Sequence, residues 1–110
     1  MPTSTDPLLR AAHYLRMRRT AVEDAVRPID KRLAWTELKA SCAMLGVIHQ
    51  DDLWGPYYVG AVERVWEARA AQRPRGPVGV VKFREWADDF DGELAERLGR
   101  LARGDMEARF

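Results

Sequence analysis

Near the end of the chain, Phe83, Ala87, Phe90, Leu94, Leu98 and Leu101 recur at steps of four, three, four, four and three. An α-helix turns once every 3.6 residues, so this spacing lines all six on one face. A strand, with its two-residue period, would scatter them over both. The pattern predicts an amphipathic helix reaching about Arg103, weakened internally by Gly92 and Gly99. A helix with one apolar face must bury it against other elements, so the rest of the chain has to supply them.

Three further helices are expected. Asp6 before Pro7 reads as an N-cap followed by proline at the first helical position, and Leu8, Ala12, Leu15, Val22 and Val26 continue at helical spacing. This predicts a helix to about Arg27, ended or kinked by Pro28. In "WTELKASCAMLG", Thr36 reads as an N-cap and Gly46 as a left-handed stop, which gives a short second helix of about ten residues. The stretch "DDLWGPYYVGAVERVW" places Tyr58, Val62, Val65 and Trp66 on one side of a third helix from Pro56 to about Gln72. Its aromatic residues are then packing, with Asp51 and Asp52 near the positive end of the helix dipole. Pro74, Gly76, Pro77 and Gly79 exclude helix from the following segment, and Val78 to Lys82 reads as a short strand or extended arm. Leu15, Val22, Leu38, Leu45, Val62, Val65, Trp66, Phe90 and Leu94 should form the core.

The chain of 110 residues fits one domain, with residues 1–6 and 104–110 expected to fray. Its hydrophobic fraction of 46% and charged fraction of 32% favour a packed fold over disorder. The single cysteine, Cys42, excludes an internal disulfide. No apolar run approaches the roughly 20 residues of a membrane helix, and the N-terminus lacks the order of a signal peptide. A cytoplasmic protein that does not enter membranes is the expectation.

A net charge of +1 conceals segregation: five basic and no acidic residues lie between 69 and 84, against four basic and eight acidic from 85 onward. Arg69, Arg73, Arg75, Lys82 and Arg84 surround the Gly/Pro turn. Guanidinium forks and glycine backbone N–H groups suit phosphate oxygens, so the block is a candidate nucleic-acid contact, with Arg64 added from the third helix. The competing expectation is a solvated loop, or one neutralised by the acidic last helix.

Leu38, Cys42, Leu45, Gly46 and Val47 put a small residue four before a glycine and an apolar residue after it. This is similar to the helix-turn-helix pattern, and the element order is similar to a winged helix-turn-helix DNA-binding domain. The resemblance covers about a third of the chain, and Asp52 and Gly55-Pro56 depart from it. It implies a mainly α domain of about four helices with a winged-helix-like extended segment or hairpin near residues 74–83. The alternative is a plain helical bundle.

Catalytic signals are sparse. His49, Asp51 and Asp52 lack a second ligand cluster, His13 stands alone, and "DDFDGE" fails as a calcium loop because Ala87 and Leu98 fall at ligand positions. No phosphate-binding glycine motif, nucleophile elbow or zinc motif occurs. The expected function is therefore noncatalytic and without a cofactor: a DNA-associated regulator or a mobile-element or phage component. The alternative is a protein-binding adaptor or inhibitor that docks through Phe83, Trp86 and Phe90 of the acidic last helix, whose near-heptad spacing would also allow a homodimer.

Overall fold

The computed structural model describes residues 6–48, 55–76 and 79–104. They form four helices: α1 (Pro7–Asp24), α2 (Pro28–Ile48), α3 (Gly55–Arg69) and α4 (Val80–Ala102), with a single 3-10 turn at Ala70–Gln72. Helix α1 packs against α2 and α4, and α3 packs against the same two, with little contact across the α1–α3 diagonal. The result is an up-and-down bundle, as short connections between helices require. Among the described residues there is no strand. The fold is the plain helical bundle, and no winged-helix hairpin is present in the described part of residues 74–83.

Several boundaries differ from expectation, each for a local reason. Asp6 caps α1 as expected, its Oδ1 accepting from the Leu8 N–H at 2.9 Å. The helix ends at Asp24 because Ala25 turns to an extended conformation. Pro28 then opens α2 instead of ending α1, at a position where a missing N–H costs no hydrogen bond. Lys31 fastens the corner by donating from Nζ to the Val22 carbonyl at 2.8 Å, which satisfies one of the acceptors that α1 leaves open.

Helix α2 is 21 residues long, about twice the expected length. Thr36 sits inside it, with Oγ1 donating to the Arg32 carbonyl one turn back, and Gly46 is helical too. Both residues have helix-terminal preferences that continuous packing of α2 on its neighbours overrides. No helix-turn-helix corner therefore forms at Gly46.

After the 3-10 turn, Gly76 has a φ of 72°, in the left-handed region open to glycine. Val80, Val81 and Lys82 follow as the first turn of α4 rather than as an extended arm. Val78, the start of the predicted strand, lies outside the described residues, as do the chain ends 1–5 and 105–110.

All four helices feed one core. Leu15 from α1, Leu38 and Cys42 from α2, Tyr58, Val62 and Val65 from α3, and Phe90, Leu94 and Leu98 from α4 are at most 2% exposed. Each large side chain buried in this way contributes about 1.5–3 kcal/mol. Gly99 lets α4 approach α1 closely, since a Cβ there would lie 3.2 Å from Leu8 Cδ1. Gly92 faces open space. Leu45, expected in the core, is only partly buried at its edge.

Candidate functional site

The basic turn divides into anchored and free charges. Arg73 donates from both terminal nitrogens to Asp24, at 2.9 and 3.0 Å, and its side chain is only 15% exposed. This pairing ties the segment after α3 to the end of α1. It also holds the Asp24 carboxyl below its usual range, chiefly through the hydrogen bonds from Arg73. Arg69 binds Glu93 on α4 at 3.1 Å, while its carbonyl accepts from Trp86 Nε1 at 2.8 Å. The acidic last helix thus neutralises part of the block. Arg64, Arg75, Lys82 and Arg84 are exposed, and their side chains make no hydrogen bond or ion pair among the described residues.

The aromatic residues of α4 face inward. Trp86 and Phe90 are 6% and 0% exposed, and both meet Trp66 edge-on, with centroids 6.5 and 5.9 Å away. Phe83 alone reaches the surface, packed on Trp86 and close to the Arg16 guanidinium. Trp86 and Phe90 are therefore core residues, which corrects the expectation of a docking surface formed by Phe83, Trp86 and Phe90.

Two inward arginines on α1 were not evident from sequence. Arg16 is 5% exposed and donates from Nε to Asp91 Oδ1 at 2.7 Å, and His13 Nδ1 lies 3.1 Å from the other carboxylate oxygen. Arg19 donates to Glu63 at 2.5 Å, with its guanidinium 4.6 Å from the Trp66 ring centroid. Their partners lie 75 and 44 residues away in sequence, beyond the reach of any local pattern.

Large apolar side chains are left in water on α1 and α2, as well as at the start of α4, where Val80 and Val81 are exposed. Ile29, Leu33 and Met44 on α2 are 59%, 59% and 62% exposed, and Tyr14 and Met17 on α1 are about half exposed. Between the two helices lies an open groove of about 640 Å³, walled by Ala11, Leu15, Ala40, Met44 and Leu45. A polar chain crosses it. Arg18 donates to the Tyr14 hydroxyl from Nε and Nη2 and to Glu37 from Nη1, the last at 2.6 Å. Hydrogen bonds from Arg18 and then Ser41 hold the Tyr14 phenol below its usual range.

Cys42 is buried, and loss of solvation pushes its thiol up to about 12, which keeps it protonated and unreactive at neutral pH. No cluster of potential metal ligands occurs among the described residues. His49, Asp51 and Asp52 lie outside them. Asp91, the third acid of "DDFDGE", is occupied by Arg16. No helix among the described residues is long and apolar enough to cross a membrane. No protein-family model matches this chain, nor does any curated protein or solved structure.

Proposed function

We propose that this chain is a noncatalytic binding module, an adaptor or inhibitor, that receives an amphipathic helix of another polypeptide on the outer face of α1 and α2. The observation that carries this reading is the exposure of Ile29, Leu33 and Met44 on the helix that walls an apolar groove, with Met44 at its edge. Large apolar side chains that persist together on a surface cost solubility, and they recur where a helix docks into a groove. The Arg18–Glu37 pair at the groove offers both signs of charge to polar residues flanking the incoming stripe. The working surface in this reading is α1–α2, not the last helix.

A DNA-associated role is the second reading, supported by the uncommitted charges of Arg75, Lys82 and Arg84. They stand near the start of α4, which has no side-chain cap and no acidic residue in its first turn. Phosphate contact there would not use Arg69 or Arg73, whose charges are already paired.

Affinity capture from the native host, with and without nuclease, separates the two readings. Protein binding expects a nuclease-resistant partner that is lost with Leu33→Glu and kept with the double variant Arg75→Ala, Lys82→Ala. Capture abolished by nuclease and by the double variant, but indifferent to Leu33→Glu, would overturn it in favour of DNA.

A further inference from the structure

The outer face of α2 has a regularity beyond its exposure. Ile29, Leu33, Thr36, Ala40 and Ala43 follow one another at steps of four, three, four and three, and every member of this stripe is exposed. This is the 3.5-residue period of a coiled-coil seam, with Leu33 and Ala40 at a and Ile29, Thr36 and Ala43 at d. The seam is directed away from the protein's own core, because Leu38 and Cys42 occupy the opposite side of the helix and are fully buried.

The flanks of the seam carry opposite charges. Arg32 and Lys39 occupy the g positions and Asp30 and Glu37 the e positions. In a parallel pair, each g residue faces the e residue five positions further along the other helix, so Arg32 of each copy meets Glu37 of the second copy. An antiparallel pair would set g beside g and e beside e. In the register that sets Arg32 against Lys39, Glu37 would face Asp30, with repulsion on both flanks. The side chains of Arg32 and Lys39 have no hydrogen bond or ion pair among the described residues. Glu37 has one from Arg18, and a carboxylate can accept more.

We infer that the partner seated on α2 is a second copy of this chain, with the two α2 helices parallel and in register about a two-fold axis along the seam. This rests on the reading of the α1–α2 side as an interaction surface and names its occupant. Ala40 and Ala43 let the backbones approach closely, while Ile29 and Leu33 supply most of the apolar area. With Thr36 at the centre and only about two heptads of seam, the dimer is weak and concentration-dependent.

Sedimentation equilibrium of the purified full chain, over low to high micromolar concentration, tests the inference. A monomer–dimer equilibrium is expected. Leu33→Glu should weaken it about tenfold or more, because a charge would enter the seam twice per dimer. Arg32→Glu should weaken it about two- to fivefold by opposing Glu37, and adding Glu37→Arg should restore it. Lys39→Glu should change it little, since Met44 lies opposite in the parallel register. Circular dichroism of each variant checks that helicity is unchanged. A chain monomeric throughout would overturn the inference, as would a dimer indifferent to Leu33→Glu. A dimer strengthened by Arg32→Glu would overturn the parallel arrangement, because only antiparallel helices bring residue 32 against Lys39. A monomer that still captures a Leu33-dependent, nuclease-resistant partner would sink self-pairing while leaving the protein-binding reading intact.

Discussion

Helices α2 and α4 are of similar length and both amphipathic, yet they dispose of their apolar residues in opposite ways. Beyond its first turn, where Val80, Val81 and Phe83 are exposed, helix α4 turns Trp86, Phe90, Leu94, Leu98 and Leu101 into the core and presents charge to water. Helix α2 buries Leu38 and Cys42 but leaves Ile29, Leu33 and Met44 outside. From Trp86 onward, the first arrangement is accounted for by folding alone. The second retains apolar surface that the bundle does not use, and that surplus directs attention to α2 as the working helix.

The strongest test of this contrast is truncation on the two helices. Phe90→Ala should cost about 3–5 kcal/mol, because the ring is fully buried between Trp66 and Trp86 and its loss opens a cavity. Urea denaturation reads the change directly. Met44→Ala, on the exposed face of α2, should stay within about 0.5 kcal/mol of wild type. Comparable losses at the two positions would erase the distinction.

Next in size is the ion pair between α1 and α4. Arg16→Met strands Asp91 without its partner in a nearly dry site and should cost about 3 kcal/mol. The lower end of the usual range is appropriate because His13, on the same carboxylate, is largely open to water. Adding Asp91→Leu should recover most of the loss, since an apolar pair requires no desolvation of charge. A double variant as unstable as the single one would show that the pair contributes more than mutual neutralisation.

Much of α4 was readable in advance because its signal is local and repeated: six apolar residues at helical spacing define its face without knowledge of any neighbour. The same holds for Tyr58, Val62, Val65 and Trp66 on α3 and for the Asp6 cap. The errors cluster where a local preference competes with packing. Thr36 and Gly46 favour helix ends, but α2 runs through both; Pro28 fits a helix stop or a helix start, and only the extended turn at Ala25 decides between them. The candidate site was less legible still. Charge clustering singled out Arg69 and Arg73 without their distant partners Glu93 and Asp24, and Trp86 and Phe90 gave no sign of which neighbour they faced. The outer stripe of α2 was present in the sequence but hidden by the expectation of a short helix.

Helix α4 can also be tested through its glycines. Gly92→Ala should stabilise the protein by about 0.5–1 kcal/mol, because the added methyl meets open space and the backbone loses less entropy on folding. Gly99→Ala should lose that gain, since Leu8 must move to admit the methyl. Equal stabilisation at both positions in thermal melts would mean that α1 and α4 are less closely packed at Gly99 than the geometry indicates.

A smaller effect belongs to the tether between Asp24 and Arg73. Asp24→Asn should cost about 0.5–1 kcal/mol at neutral pH, the range of a well-formed surface ion pair. Because the folded state holds this carboxyl below its unfolded range, its contribution is complete above the usual carboxylate range and disappears as pH falls through the depressed folded value. The wild-type advantage over Asp24→Asn should therefore vanish in strong acid. An advantage independent of pH would assign it to packing rather than charge.

The smallest expected effect on stability is at Leu33. Its side chain is 59% exposed in the isolated bundle, so Leu33→Glu removes little buried area. The new carboxylate would lie one turn from Asp30 and Glu37, whose charges Arg27 and Arg18 already offset, so the added repulsion is small. Stability in urea should stay within about 0.5 kcal/mol of wild type when measured at concentrations too low for self-association. At high concentration the variant should fall behind, because binding between folded copies stabilises only the wild type. A large loss at low concentration would mean that Leu33 supports the fold itself, and the distinction between a helix spent on the core and a helix held for a partner would fail.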